Sequence, residues 1–329
     1  MRTTGKQVAA GLVLGFSASV MGQVGSQSET PPTPPPLKIA LTSLKPDAVI
    51  DVGGDRQIAV SPEAVWVSSR TAGTLTRIDP KTNAVGTRVA IGQGPCRSVL
   101  VAFKSVWTPL CDGPGLARVD ASGDKPPVVL NVGVYAAGPI VTGTGSVWMI
   151  TDPAGTLSRL DPDTNAVVAE VTVPAGATAL AVGHDAVWVT SLATHVVTRI
   201  NGHTNVLIEA IKVGRGPLAI AAGEGSIWTF NGGDGTVSRI DPATNKVVET
   251  IKTGVTGTTG SMVVGEGSVW LSAPGAPLTR IDPVTNSVRQ QFSGSGGGVL
   301  ALGLKSLWLT VTPTSIWRID PKRVEATRK

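Results

Sequence analysis

Residues 223–254 read GEGSIWTFNGGDGTVSRIDPATNKVVETIKTG. The stretch holds glycines, a tryptophan, an acid-containing turn and an Arg two residues from an Asp, which in isolation would suggest a chemical site. It recurs, however. Tryptophans stand at Trp66, Trp107, Trp148, Trp188, Trp228, Trp270 and Trp308, spaced 41, 41, 40, 40, 42 and 38 residues apart. Arg77, Arg118, Arg159, Arg199 and Arg239 follow eleven residues later, and Arg280 and Arg318 follow after ten. A fixed period near 40 residues marks a stacked array of supersecondary units. A feature present seven times is scaffold, not a unique catalytic centre.

Each copy reads as four strands. In the quoted one these are 218–222, 226–230, 236–240 and 246–252. Glu224-Gly225 is a two-residue hairpin turn that needs positive φ, and Asn231 to Gly235 is a longer loop. Asp241-Pro242-Ala243-Thr244-Asn245 is a turn in which Pro presets φ and Asp and Asn bond their own backbone. Four antiparallel strands repeated seven times predict an all-β, seven-bladed propeller of four-stranded antiparallel blades. An open β-solenoid is the other architecture considered, but its repeats are shorter and single-layered. The last copy has three strands and then the charged run KRVEATRK, whereas DAVIDVGG at 47–54 matches a fourth strand. An N-terminal strand, 48–52, is therefore expected to close the ring against Trp317-Arg318-Ile319 and remove the open edges. Trp317 replaces a Thr, Ser or Ala of the other copies and reads as a packing wedge beside that strand.

The 329 residues include 40 glycines and 24 prolines scattered between apolar runs, which suits short strands joined by tight turns. Residues 1–22 carry Arg2 and Lys6 ahead of a short apolar run that ends in small residues, the pattern of a secretory signal peptide. The run is shorter than a membrane span, no cysteine follows it as a lipid-attachment site, and no later segment could cross a bilayer. Residues 23–46, with PPTPPP at 31–36, read as a Pro-rich linker, 47–320 as the propeller and 321–329 as a charged tail. Export to the periplasm or the extracellular space is the expectation.

Removing the leader takes two charges from a net +5, and what remains is spread along the repeats. Nucleic acid needs a clustered basic face, so it is not an expected partner. Cys96 and Cys111 are the only cysteines. In an exported chain they read as a disulfide. Each lies seven residues from its side of the turn at Phe103-Lys104, so the two are expected to face each other directly on one hairpin.

The pattern SVWxxx…GTVSRIDPxTNxVVxxIxVG, carried across 47–320, resembles the YVTN-type propeller repeats and the virginiamycin B lyase (streptogramin lyase) family. The resemblance implies a propeller. As one activity it implies an eliminase that uses a histidine base, acidic residues and Mg²⁺ around the central channel.

The residues themselves point elsewhere. The starts of the first strands read Arg56-Gln57, Cys96-Arg97, Gly138-Pro139, Thr178-Ala179, Pro217-Leu218, Gly260-Ser261 and Gly298-Val299, with no His, Asp or Glu. A general base must reach the proton it removes. Of the three histidines, His184 and His203 fall in turns of the opposite face, and His195 alone lies in a loop between second and third strands. It is the first residue to test for catalysis, and none is assigned a catalytic role. Residues that break the repeat on the upper face, where these loops and strand starts meet, are the binding candidates. They are Arg56, Arg70, Arg97, Asp112, Asp152, His195, Asn231 and Asp234. Neighbouring Arg56 and Arg97 would suit a carboxylate or phosphate.

Asp161-Pro162-Asp163-Thr164-Asn165 resembles the start of a calcium loop but is the ordinary turn with one extra acid and lacks the distal carboxylate, so no metal site is assigned. The glycine run at 294–298 precedes no helix and reads as a loop. The expectation is a binding module for a small molecule, glycan or protein at its upper face, without a cofactor. The alternative is a streptogramin-lyase-like or lactonase-like enzyme, with Mg²⁺ in the lyase case.

Overall fold

A computed structural model of the chain describes residues 37–53, 57–92, 94–113, 115–133, 138–312 and 314–327. The leader at 1–22, the proline run at 31–36 and Arg56 lie outside the described residues. Six blades follow the order of the sequence, and each is a four-stranded antiparallel meander. Blade one comprises Ile58–Val60, Val65–Ser69, Thr74–Ile78 and Val85–Ala90. Blade five, the quoted copy, comprises Pro217–Gly223, Ser226–Asn231, Thr236–Asp241 and Lys246–Lys252. Blade seven takes Leu300–Gly303, Ser306–Thr310 and Ser315–Ile319 from the C-terminal end and its outer strand, Ala48–Asp51, from the N-terminal end. The pairs Ala48↔Arg318, Val49↔Trp317 and Ile50↔Ile316 close the ring as expected. Trp317 packs beside this strand against the core of blades six and seven.

The local chemistry explains the blades. The first hairpins of blades two to seven turn on two left-handed residues, for example Glu224 and Gly225 at φ 48° and 71°, whereas blade one turns through Pro62-Glu63 between Ser61 and Ala64. At Phe103-Lys104 and Leu304-Lys305 ordinary residues take both positions, at φ between 54° and 56°. The repeated tryptophans are fully buried, so they form inter-blade core and cannot offer an aromatic platform to a sugar. At the inner ends of the blades the first strands approach very closely. A Cβ on Gly183 would stand 2.6 Å from the Ala222 Cβ of the next blade. The Gly183 carbonyl accepts the Trp188 indole N–H.

The arginine joins one blade to the next. In six blades its guanidinium lies 4.5 to 6.0 Å from the ring centre of the blade's own tryptophan, within cation–π range. From there it reaches the following blade's turn between third and fourth strands. Arg199 donates to Pro242 O and, at 2.8 Å, to Asn245 Oδ1. Arg118, Arg159, Arg239 and Arg318 make the same bond to Asn165, Asn205, Asn286 and Asn83. These asparagines sit at φ between 50° and 62°. Asn is suited twice over: it tolerates the left-handed region, and its amide oxygen is the acceptor. In five blades the arginine Nε also donates to a serine two residues before the tryptophan. Blades one and four have Ala64 and Ala186 there, and the Nε of Arg77 and of Arg199 is buried without a partner.

Two seams depart from this scheme. Blade seven lacks the turn because its fourth strand comes from the other end of the chain. The C-terminal residues read as a charged tail instead form a helix, Pro321–Ala326, capped by Asp320, with Val324 fully buried. Its Glu325 takes the Arg280 guanidinium at 2.6 Å, and its Arg323 pairs with Asp47 at the start of the closing strand. Between blades one and two the turn carries Asp120-Ala121-Ser122-Gly123, with neither Pro nor Asn. Arg77 donates back to Glu63 O of its own blade. A further difference concerns the linker read at 23–46. Leu37–Ala40 is a strand, parallel to Ser287–Ser293 at the outer edge of blade six, and Leu41 and Leu44 are buried beside it. Composition sees the prolines, but the apolar residues after them have an exposed edge to cover.

Changing Ala186 to Ser should satisfy the Arg199 Nε as the other blades do and raise stability by about 1 kcal/mol, read by chemical denaturation. A midpoint that is unmoved or lowered would contradict this account of the clasp.

The turn aspartates give a pH prediction. Asp79 and Asp161 are held below the ordinary 3.8 by N–H bonds from the second and third residues after each. Asp241 is held down by the Ala243 N–H and the Thr244 hydroxyl. Burial pushes the Asp282 carboxyl up, but the N–H groups of Val284 and Thr285 with Arg289 outweigh it. A lowered pKa means stability that is fully present above 3.8 and is lost as pH falls through the folded value. Blade four already uses Asn201, which accepts from His203 and Thr204 N–H. Asp161→Asn with Asp241→Asn should therefore keep the fold at neutral pH and flatten the acid limb of a stability–pH curve.

Candidate functional site

On the upper face the starts of the seven first strands converge. Gln57, Arg97, Pro139, Thr178, Leu218, Ser261 and Val299, one from each blade, ring an axial hollow of about 550 Å³. All seven belong to the pairs that the repeat spacing identifies as strand starts. The lining is glycines, hydroxyls and aliphatic groups, and Arg97 is the one charged side chain among its described residues.

A second hollow, about 330 Å³, opens at the seam between blades one and two and is lined by Gln57, Ser68, Arg70, Pro95, Cys96, Arg97 and Cys111. Arg70 reaches it from the loop between second and third strands of blade one by lying over blade two. A Cβ on Gly94 would stand 2.9 Å from Arg70 Cγ. Arg97 is placed by the disulfide of Cys96 and Cys111, whose Cα atoms are 5.0 Å apart.

The bridge is as expected, but the register is not. Leu100↔Trp107, Val101↔Val106 and Ala102↔Ser105 follow the predicted hairpin. Further up, Pro95 pairs with Leu110, a shift of two residues. Ser98 N–H folds back on Cys96 O and takes up the extra length. Cys96 N–H therefore meets Pro109 O and Cys111 N–H meets Gly94 O, so the cysteines are diagonal rather than opposite.

The other candidates do not join these hollows. Asp112 is exposed beside Cys111. Asp152 accepts the Ala154 N–H within its own turn. Asn231 is buried, and its amide donates to Thr236 and Ser238 at 3.0 and 2.9 Å. Asp234 accepts the Thr236 hydroxyl and the Arg215 N–H, tying its loop to the segment that enters blade five. His195, at φ 57°, takes a backbone position held by Gly73, Gly155 and Gly235 in sister blades. Its Nδ1 accepts the Gly216 N–H at 3.2 Å. A neutral ring bonded in this way carries its proton on Nε2 and offers a donor there rather than a base.

The residues do not fit the Mg²⁺ that the family resemblance implies. Among the described residues no three His, Cys, Asp or Glu side chains converge, and none of these types except the bridged cysteines lines either upper hollow. Sequence reasoning missed Ser68. It stands two residues after Trp66, and its oxygen accepts the Gln57 N–H in place of a ladder bond. Thr190 and Thr310, at the same position in their blades, accept the Ala179 and Val299 N–H. A hydroxyl at that spacing was the available signal.

No family model matches the sequence, and no curated protein matches it. Solved structures do match. Virginiamycin B lyase from Staphylococcus aureus is similar with TM-score 0.68 at 15% identity, over 82% of this chain and 98% of that one. A catalytically inactive form of that lyase with quinupristin gives 0.68 at 14% over the same shares. The WD40 β-propeller domain of Doa1 gives 0.69 at 14%, over 85% of this chain and 98% of that domain. A lyase and a WD40 domain are matched equally well, so the shared property is the propeller architecture.

Replacing both cysteines by serine should cost roughly 2–3 kcal/mol, the scale for a closed loop of this length. Denaturation of oxidised, reduced and variant protein would measure it. Equal midpoints would show that the bridge does not hold this hairpin.

Proposed function

We propose that the chain is an exported propeller that binds a small molecule, a glycan or a protein segment at its upper face without transforming it. The observation that carries this reading is the axial hollow, where all seven blades meet in a lining that has one cation and no described acid or histidine. Such a surface offers shape, hydroxyls and one positive charge, which suits recognition. It lacks the paired proton donor and acceptor that elimination or hydrolysis requires. Export is supported by the leader-like N-terminus and by the disulfide, which persists in oxidising compartments. Among the described residues no helix is long and apolar enough to cross a membrane. A lyase-like or lactonase-like enzyme is the second reading, favoured by the fold shared with virginiamycin B lyase.

The test is a ligand screen that includes quinupristin, which the similar lyase structure holds. It reads binding and turnover together, with wild type and with Leu218→Trp, a change that adds bulk at the axial hollow. Binding without turnover, lost in Leu218→Trp at unchanged melting temperature, is the expected result. Turnover that EDTA or His195→Ala abolishes would replace this reading with the enzyme. Binding indifferent to Leu218→Trp would move the site away from the axis.

A further inference from the structure

The seam between blades one and two combines three irregularities. On the lower face it lacks the clasp to an asparagine, because blade two has no such turn and Arg77 bonds within its own blade. On the upper face it carries the chain's disulfide. Between Arg70 and Arg97 it holds a hollow of about 330 Å³. Neither guanidinium donates to any acceptor among the described residues, and no described carboxylate lines the hollow. Ser68, 2% exposed, lines it too. Its oxygen is engaged by the Gln57 N–H, and its own proton is given to no described acceptor.

We infer that this hollow is an oxyanion subsite, in which Arg70 and Arg97 hold the carboxylate or phosphate group of a ligand with Ser68 as an additional donor. Two like charges in one small space repel each other, and an anion between them reverses the sign of that interaction. Guanidinium forks match oxyanions in shape as well as charge. The donors are also pre-positioned: the bridge fixes the backbone before Arg97, and the absence of a side chain at Gly94 lets Arg70 lie across the seam. Arg97 lines the axial hollow as well. The ligand class is therefore a largely neutral body over the axis with one acidic group directed to the seam. This description of the ligand rests on the binding reading of the upper face. The anion subsite itself does not.

The test titrates the full chain with benzoate and, separately, with inorganic phosphate at constant ionic strength. The observable is the arginine Nε–Hε resonances, assigned through Arg70→Lys and Arg97→Lys. Saturable shifts confined to Arg70 and Arg97 are expected, with affinity falling roughly ten-fold in either lysine variant as one fork is lost. Gly94→Ala, which keeps both charges but displaces Arg70, should weaken binding in the same direction. Whichever anion saturates at the lower concentration identifies the group. Shifts shared by exposed arginines elsewhere, such as Arg88 and Arg215, or affinity unchanged in both lysine variants, would overturn the subsite. If a screened ligand binds at the axis while both anions fail, the binding reading stands and this inference falls. If the anions bind as described while Leu218→Trp affects no ligand, the subsite stands and the axial reading falls.

Discussion

The guanidinium stacked on a buried indole and reaching into the next blade's turn is the contact on which the ring depends. A propeller has no single core. It has seven narrow ones, and each tryptophan fills the space between adjacent sheets. Dispersion and burial of apolar surface hold those sheets together but do not fix how far one slides along the next. A directional bond does. Arg199 to Asn245, repeated at 118, 159, 239 and 318, sets the height of each blade against its neighbour with a charged donor and a left-handed asparagine. The cost of burying the guanidinium is offset by the ring face and by up to four acceptors, as at Arg159. Where the serine beneath it is alanine, one of those acceptors is missing and the Nε is stranded.

The two seams without the asparagine show what else can do the same work. Between blades six and seven the short helix substitutes: Glu325 meets Arg280, and the fully buried Gln290 donates to the Val324 and Glu325 carbonyls. The same helix bonds Asp47 through Arg323, so the two ends of the described chain are tied where the ring closes. Between blades one and two the lower clasp is absent, Gly123 packs against the Trp66 ring, and the covalent bridge sits on the upper side of blade two. The repeat is interrupted at this seam, and the Arg70 and Arg97 guanidinium groups there donate to no acceptor among the described residues. The loops of blades four and five illustrate the converse. His195, Asn231 and Asp234 look functional by residue type, yet each is occupied in holding a loop.

The seven-fold period, the four strands per copy, the closing strand read at 48–52 and formed by Ala48–Asp51, and the pairing of Cys96 with Cys111 were all legible in the sequence. Each follows from local rules. Turn residues demand particular φ values, short apolar runs between turns read as strands, and a strand missing at one end must be supplied by the other. The positions that ring the axis were legible too, since they stand nine or ten residues before the tryptophans. Only the tertiary structure decided which candidates share a space. Arg70 and Arg97 are 27 residues apart and belong to different blades, and they meet because Gly94 leaves room across a seam that no sequence period describes. The disulfide register slipped by two residues because a fold-back at Ser98 is a matter of backbone hydrogen bonding, invisible to counting. Residues 37–44, read as part of a spacer, and the helix at 321–326, read as a tail, pack on blades six and seven, where they cover the outer strand of blade six and meet Arg280 at a seam that lacks the asparagine turn. Sequence specifies what each repeat must be. The closed ring specifies where the repeats leave a gap, and that depends on all seven at once.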